Sequence, residues 1–308
     1  MTLYEEIAQS IERQFSAHSR TNLFYRHHDT DSQFLPESKA LILRHKEALR
    51  QIDRTHQEAP WIDRMTDNAY RTFCRSNQFL DLRKEHIEAL REVYAALWHD
   101  IIHELVKPEV NFDLLQRAHV QRLTGWLHLS NAFAKSLNGD DLPEVVEVVC
   151  AEYSAALQLQ LLQIDLDTLE EPVLDIGCGE HAHLINYLRI QGMEAFGMDR
   201  LVDETPAEHL IRSDWMDYCF NPDSWGTIIS NHSFALHFTH QNERQESDYV
   251  AYATKYMEIL RSLVPGGSFY YAPSLPFIES YLPAAQYRVT HHQVSAEYAA
   301  TKITRYQL

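Results

Sequence analysis

The chain of 308 residues is 45% hydrophobic, carries a formal net charge of −17 with histidine neutral, and contains four cysteines. This size and composition indicate a globular protein with one large core or two modest ones, and average domain sizes favour two. Both halves are acidic, which excludes the positive footprint that nucleic-acid binding needs. We therefore expect small molecules or proteins, and no nucleic acid, as partners.

The sequence also disfavours membrane association and secretion. No apolar run approaches the roughly 20 residues that span a bilayer, and the opening "MTLYEEIAQS" is acidic, unlike a secretory signal. The scattered cysteines Cys74, Cys150, Cys178 and Cys219 form no CxxC pair, so neither a disulfide framework nor a thiolate zinc site is indicated. A cytoplasmic location is the expectation.

The first half of the chain has a helical period and few glycines. In "LRKEHIEALREVYAALWHDIIHEL" apolar residues recur at three- and four-residue steps, which lines one face of a helix. The same pattern recurs in "SKALILRHKEALRQI", "WIDRMTDNAYRTF", "FDLLQRAHVQRLTGWLHLSNAFAKSL" and "PEVVEVVCAEYSAALQLQLLQI", with Pro36, Pro60, Pro108 and Pro143 near the breaks. We predict a helical domain over residues 1–165, which would cap an acceptor pocket, form a homodimer interface or bind a partner.

One segment, "RTNLFYRHHDTDSQFLPES", interrupts this helical pattern. Aromatic and basic side chains together on a loop are typical of a lid over an anionic or aromatic substrate. An ordinary loop packed by Phe24 and Tyr25 is the alternative. Under the first interpretation, Tyr25, Arg26 and His27 are candidate substrate contacts.

The residue pattern changes from a helical period to short strand-like runs near Asp165. These runs are "PVLDIG", "EAFGM", "HLIRS", "GTIISN" and "GSFYYA". Strands that alternate with helices indicate crossover connections, hence a mostly parallel sheet with helices on both faces. The final runs, "QYRVTHHQV" and "TKITRYQL", are separated only by "SAEYAA", which permits a hairpin. The last strand should therefore run antiparallel to its neighbour in a second domain over residues 166–308.

The stretch "VLDIGCGEH" reads as a strand that enters a tight turn and then a helix. Gly177 and Gly179 lack a Cβ, so a ligand can lie against the turn at the helix N-terminus. The spacing of the glycines to Ala182, with Asp199 further on, also satisfies the dinucleotide fingerprint. Asp175 argues against that reading, because a carboxylate two residues before the first glycine suits a cation better than a pyrophosphate.

Together, "VLDIGCG", "FGMDR", "IRSDW" and "LRSLVPGGSF" resemble, in order, the motifs of class I S-adenosylmethionine-dependent methyltransferases. The resemblance covers roughly residues 166–308 and implies a Rossmann-like α/β sheet with an antiparallel last strand. It implies S-adenosylmethionine as cofactor, with the glycine turn beneath its amino-acid and ribose parts. His181 departs from the family, which places a third glycine there, so this side chain would crowd or contact the cofactor.

The same resemblance assigns roles to residues at the ends of the next strands. Asp199, followed by Arg200, matches the acid that binds the ribose hydroxyls. Asp214, with Trp215 beside it, matches the acid near the adenine amino group. Asn231 and His232 match the end of the fourth strand, beside the methyl group. The implied cofactor-binding residues are Asp175, Gly177, Gly179, His181, Asp199, Arg200, Asp214, Trp215 and Asn231.

The segment "SNHSFALHFTHQNER" bears on the methyl acceptor. It lacks the D/N-P-P-Y/F arrangement used for nucleobase amines. Histidine titrates near neutral pH, so His232 or His237 could act as a catalytic base, with His232 favoured by its position. Phe234 and Phe238 would wall the substrate. The histidine pairs lack carboxylates at set intervals, and we expect no metal.

These observations predict a methyltransferase for a small molecule of specialised metabolism, with an oxygen or nitrogen acceptor favoured. Two alternatives stay open. A helical domain ahead of this fold also resembles nicotianamine synthase-like enzymes, which transfer the aminocarboxypropyl group. The chain could instead be a non-catalytic module that holds cofactor or recruits a protein.

Overall fold

The computed structural model describes residues 2–24, 34–80, 82–131, 144–145, 153–202, 207–243, 248–294 and 299–306. The chain forms two compact units, Met1–Val149 and Cys150–Leu308, called here the helical unit and the sheet unit. In the described part of the chain, we find no helix that combines the length and apolar character needed to cross a membrane.

Among the described residues, the helical unit contains helices within four of the five stretches that its periodicity predicts, and one more at its start; the fifth stretch, 143–164, lies partly outside the described residues. The bounds are α1 Leu3–Ala17, α2 Pro36–Arg44, α3 Lys46–Arg54, α4 Ala59–Ser76, α5 Lys84–Glu104 and α6 Phe112–Ser130. Thr2 and Glu5 form a capping box at the start of α1. Pro36 and Pro60 lie in the first turns of α2 and α4, where a proline needs no hydrogen-bond partner for its nitrogen.

One predicted helix of this unit is divided in two. The periodic stretch over residues 38–52 is divided at His45, whose non-helical backbone ends α2 and precedes α3. The imidazole Nε2 of His45 lies 3.1 Å from Oε2 of Glu6 on α1. The predicted stripe of α5 is confirmed at Leu90 and Leu97, which are buried.

The sheet unit begins with a helix that the sequence assigned to the helical domain. Helix α7, Ala155–Leu162, packs against β5, β7 and the helix that follows β1. Leu162 and Ile164 are buried in the hydrophobic cluster on that face of the sheet. The compact units therefore divide between residues 149 and 150 rather than at the predicted boundary between 165 and 166.

Seven strands form one sheet in the order β3-β2-β1-β4-β5-β7-β6. Their bounds are β1 Val173–Ile176, β2 Ala195–Asp199, β3 Leu210–Arg212, β4 Trp225–Asn231, β5 Leu263–Ala272, β6 Tyr287–Gln293 and β7 Ala299–Arg305. The first five are parallel, and β7 is antiparallel to both β5 and β6. The predicted Rossmann-like α/β fold with an antiparallel last strand is confirmed.

Helices cover both faces of this sheet, namely α8 His183–Ile190, α9 Phe234–Asn242, α10 Tyr249–Ser262 and the short α11 Pro276–Glu279. One face packs the aromatic side chains of α9 and α10, and the other packs Leu184 and Leu188 of α8. β5 starts at Leu263, four residues before the predicted Gly267, because "LVPGG" joins the strand with a register shift against β4. The carboxyl ends of β1, β2 and β4 lie at one edge, where open parallel sheets bind ligands.

Candidate cofactor site at the strand ends

The glycine turn after β1 is held by the neighbouring strand and by the loop after β4. Gly177 and Gly179 both have positive φ angles, +80° and +74°. The backbone N–H groups of Gly177 and Cys178 both donate to the carbonyl of Met198, at 2.7 and 3.1 Å. The turn is thereby tied to the end of β2, next to Asp199.

The two glycines of this turn have different surroundings. A Cβ at Gly177 would overlap the Cβ of Ser233 and lie 2.7 Å from its Oγ. At Gly179, no described atom lies within 4 Å of a Cβ built there. Gly177 is therefore required by close packing inside the protein, whereas Gly179 borders the open space in which a ligand can approach the backbone.

Asp175 is a buried carboxylate without a neutralising partner. Among the described residues, neither of its oxygens has a hydrogen-bond partner, and the residue is 1% exposed. Burial, with a smaller contribution from the charge of Asp199, raises the pKa of Asp175 to about 8. Since an unpaired buried anion is unfavourable, this position favours a ligand that brings positive charge.

Asp199, at the end of β2, is attached to the glycine turn. Its Oδ2 accepts from the backbone N–H of Gly179 at 3.0 Å, and its Oδ1 accepts from that of Leu201 at 2.8 Å. Burial raises the pKa of Asp199 in spite of these hydrogen bonds and of the charge of Arg200, which lower it. Each carboxylate oxygen can accept more than one hydrogen bond, so Asp199 retains acceptor capacity for a diol beside the turn.

Asp214 and Trp215, predicted together near the adenine, make different contacts. Asp214 Oδ1 accepts from the backbone N–H of Met216 at 2.9 Å and so stabilises the turn after β3. The Trp215 indole is buried and reaches to 3.5 Å from a Cβ built at Gly177, so it lies against the glycine turn. Its Nε1 is buried with no hydrogen-bond partner among the described residues.

The structure joins Asn231 and His232 in one hydrogen-bonded pair. The His232 Nδ1 lies 2.9 Å from the Asn231 Oδ1, and because a carbonyl oxygen only accepts, Nδ1 carries the proton. His232 has a φ of +52°, and its backbone N–H donates to the Ala272 carbonyl on β5. Burial lowers the pKa of His232, so the ring is neutral at pH 7 and its lone pair is on Nε2.

The structure corrects three predictions in the segment after β4. Phe234 and Phe238 are fully buried and pack against Tyr252 and Tyr256, so these rings belong to the core and not to a substrate wall. His237 is also buried, edge-on to the Trp215 indole at 4.9 Å. Burial, followed by the charge of Arg200, lowers the pKa of His237 well below its ordinary value, which suits a packing residue better than a base.

The remaining predicted residues have varied positions. His181 is exposed, with its ring 5.6 Å from that of His183, and Arg200 is buried after β2. Tyr25, Arg26 and His27 lie outside the described residues. Within the part of the chain that the structure describes, no group of three or more His, Cys, Asp or Glu side chains is arranged to hold a metal ion.

Ser233 connects the strand ends, a role that no sequence motif predicted. Its Oγ donates to the carbonyl of Ile176 at 2.6 Å and lies 2.7 Å from the Oγ of Ser230. The serine thereby joins the end of β1 to the loop that carries His232. In the sequence, only the small size of this residue could have indicated that it packs against the glycine turn.

Comparison with known proteins adds matches to solved structures alone, since the chain matches no protein-family model and no curated protein. One similar structure is 1,6-didemethyltoxoflavin-N1-methyltransferase from Burkholderia thailandensis with bound 1,6-didemethyltoxoflavin and S-adenosylhomocysteine (13% identity, 50% of this chain, 76% of that chain, TM-score 0.36). Another is the N-methyltransferase NodS from Bradyrhizobium japonicum WM9 (14%, 49%, 96%, TM-score 0.34). A third is the T. thermophilus 16S rRNA N2 G1207 methyltransferase with AdoMet and guanosine (12%, 49%, 39%, TM-score 0.34).

Proposed function

We propose that this chain is an S-adenosylmethionine-dependent methyltransferase that methylates an oxygen or nitrogen of a small molecule. The observation that carries the proposal is the unpaired, buried carboxylate of Asp175 two residues before an open glycine turn. The ligand that fits there combines a cationic part with a part that follows the turn toward Asp199. S-adenosylmethionine meets both requirements, because its ammonium and sulfonium groups are cationic and its ribose is a diol.

In this proposal the carboxylates have separate duties. Asp175 neutralises the cationic amino-acid part of the cofactor, and Asp199 accepts hydrogen bonds from the ribose hydroxyls. Both groups affect Cys178, within the turn: burial raises the pKa of its thiol, and the negative charges of Asp175 and Asp199 raise it further. This shared influence supports a single binding site that both carboxylates border.

The indole of Trp215 would flank the adenosyl part from the side of Gly177. It lies against the turn, and its Nε1 is buried without a partner among the described residues. A ring nitrogen or hydroxyl of the cofactor would satisfy that donor. Leaving a buried N–H unpaired costs about 1–3 kcal/mol, so the gain from such a hydrogen bond would contribute to affinity.

His232 is the residue we assign to proton removal. Bound S-adenosylmethionine supplies an electrophilic methyl group, and the protein must align the acceptor, exclude water and receive the acceptor proton. Because Asn231 holds the Nδ1 proton of His232, Nε2 is the basic atom. Hydrogen bonding fixes the tautomer, and the left-handed backbone at His232 fixes where the ring projects.

The acceptor class rests on the charge of the chain. A net charge of −17 favours a small molecule over nucleic acid and is consistent with a cytoplasmic enzyme of specialised metabolism. Neither Phe234 nor Phe238 is accessible for an acceptor.

The first test is calorimetric titration of the purified chain with S-adenosylmethionine and S-adenosylhomocysteine, with NAD as control. Micromolar binding of the two adenosyl ligands and none of NAD is the expected result. Binding of NAD alone would overturn the proposal in favour of a dinucleotide site. Absence of adenosyl binding by folded protein would also contradict it.

The second test identifies the group that is transferred. Candidate acceptors are incubated with the protein and S-adenosylmethionine, and the masses of both products are measured by mass spectrometry. We expect adenosylhomocysteine and an acceptor that is heavier by one methyl group. Methylthioadenosine with a larger mass gain would instead establish aminocarboxypropyl transfer, and binding without any product would favour a non-catalytic module.

A further inference from the structure

The helical unit contains a partly open cavity of about 250 Å³. Side chains of α1, α2, α4, α5 and α6 contribute to its walls, and all the residues that line it belong to this unit. Most of them are aliphatic or aromatic, and the aromatic ones include Phe15, Trp61, Phe73, Tyr94 and Trp98.

The size of this cavity is unusual for a packing imperfection. Protein interiors normally leave few voids larger than a water molecule. A dry, apolar cavity of roughly 150 Å³ is large enough to bind benzene. The cavity of about 250 Å³ therefore has room for a compound of two fused rings.

Two residues of the cavity lining each carry a buried nitrogen that has no hydrogen-bond partner among the described residues: Asn77 at Nδ2 and His119 at Nδ1. The rest of the Asn77 hydrogen-bonding capacity is used locally. Its Oδ1 accepts from the backbone N–H of Phe79 at 2.9 Å, and its own N–H donates to the Phe73 carbonyl at 3.0 Å. These bonds hold the amide in place, so Nδ2 is an oriented donor that lacks an acceptor.

Other polar groups in the wall are satisfied by the protein itself. Oε1 of Gln14 accepts from the backbone N–H of Leu35 at 2.9 Å and from the hydroxyl of Ser38 at 3.0 Å. The unpaired atoms are therefore not a general property of the cavity's polar residues. They occur at Asn77 on the C-cap of α4 and at His119 on α6.

The wall of the cavity is also uncharged. Among the described residues that line it there is no Asp, Glu, Lys or Arg. Burial, with the nearby charge of Arg122, lowers the pKa of His119 to about 4, so this ring is neutral near pH 7. A charged ligand would have to leave water without a counter-charge, which is strongly unfavourable.

We propose that this cavity is a binding site for an uncharged aromatic compound of about two rings that carries a hydrogen-bond acceptor for Asn77. The apolar walls bind the rings, and the polar atom of the ligand pairs with the amide, which is the arrangement typical of small-molecule pockets. None of its described lining residues belongs to the glycine turn or to the strand ends, so the test of this site does not rest on the proposed methyl transfer.

The test uses 2-naphthol and naphthalene as probes of equal ring size, titrated by calorimetry into the full-length protein. One site per chain with micromolar affinity is expected, and 2-naphthol should bind at least fivefold more tightly because its oxygen can accept from Asn77. A rise in Tm with either probe should accompany binding. Absence of binding of both probes to folded protein would overturn the proposal.

Substitution locates the site. Ala69 is buried in α4 and lines the cavity, whereas Ala89 is exposed on α5 and does not line it. Ala69→Phe should weaken both probes by tenfold or more, and Ala89→Phe should leave both affinities unchanged. Equal affinities in folded Ala69→Phe would show that the probes bind elsewhere and would contradict the proposal.

A second substitution keeps the test decisive if Ala69→Phe fails to fold. Asn77→Leu removes the unpaired donor and keeps the number and branching of the side-chain heavy atoms. The ratio of the two affinities should then fall to about one, with naphthalene still bound. An undiminished preference for 2-naphthol in this variant would contradict the assigned hydrogen bond, whatever the overall stability of the protein.

Discussion

The two units bury unpaired polar atoms in different settings. In the sheet unit one such group is ionisable: the Asp175 carboxyl lies at the end of a buried strand, beside a turn with open space at Gly179. In the helical unit, two residues that line the apolar cavity, Asn77 and His119, each carry an unpaired nitrogen on an uncharged side chain. The difference indicates a cationic ligand for the first unit and an uncharged one for the second.

The largest expected effect follows from removal of the acid at the end of β2. Asp199→Ala should weaken S-adenosylmethionine binding by about 100-fold or more, since two charge-assisted hydrogen bonds contribute roughly 1.5–3 kcal/mol each. Calorimetry measures the loss, and 2-naphthol binding to the helical unit should stay as in the wild type. Asp223→Ala, at an exposed ion pair with Arg305, is the matched control.

If Asp199→Ala bound the cofactor with wild-type affinity, the sheet unit would lose its assigned site. If it lost 2-naphthol binding as well while remaining folded, the two sites would not be independent. Circular dichroism of each variant separates these results from simple unfolding.

The next effect concerns catalysis within the sheet unit. His232→Ala should lower kcat by about 100-fold, within the range for loss of a general base, with little change in cofactor affinity. His237→Ala should instead lower Tm, because His237 is buried beside Trp215. His292→Ala on β6 serves as control. Turnover of the acceptor found by product mass is the measurement, and unchanged turnover in His232→Ala would remove that residue from the mechanism.

A smaller effect distinguishes the two glycines of the turn. Gly177→Ala should destabilise the protein by about 2–4 kcal/mol, because the new methyl group would overlap Ser233 and the residue has a positive φ. Gly179→Ala meets only the strain of its positive φ, roughly 1–2 kcal/mol, and should act more on cofactor affinity. Denaturant unfolding and calorimetry together test this contrast. Equal losses of stability would contradict the different environments.

The smallest effect is the release of a proton when the cofactor binds. At pH 7 the Asp175 carboxyl, with its pKa near 8, is mostly protonated, and a cationic ligand would restore its charge. Binding should therefore release about one proton at pH 7 and about a tenth of one at pH 9, and affinity should rise with pH up to about 8. Calorimetry in buffers of different ionisation enthalpy measures this release. Asp175→Asn should abolish it, and release that persists in this variant would assign the proton elsewhere.

Local sequence patterns were sufficient to predict most of the sheet unit. Each of the seven strands follows from a short β-rich run, and the hairpin spacing predicted the antiparallel β7. The turn at Gly177 and Gly179 was located correctly because glycine at positive φ has a local signature.

Features that depend on tertiary packing were not predictable in this way. The apolar residues of α7 have the same period whether the helix packs on other helices or on the sheet, so the boundary was placed 16 residues too late. Phe234 and Phe238 precede α10 in the chain, and nothing local indicates that Tyr252 and Tyr256 of that helix cover them. The cavity is likewise formed by residues far apart in sequence, which no periodicity identifies.

The contact between Gly177 and Ser233 has a consequence for how such an enzyme could acquire new acceptors. In the proposed enzyme, variation in the loop after β4 would alter the acceptor side of the site, yet Ser233 in this loop packs against the turn that we propose binds the cofactor. Substitutions around His232 are therefore tolerable only while position 233 remains small. Acceptor specificity could diversify along this loop, but Ser233 is constrained by its contact with the glycine turn and would be the last residue of the loop to change.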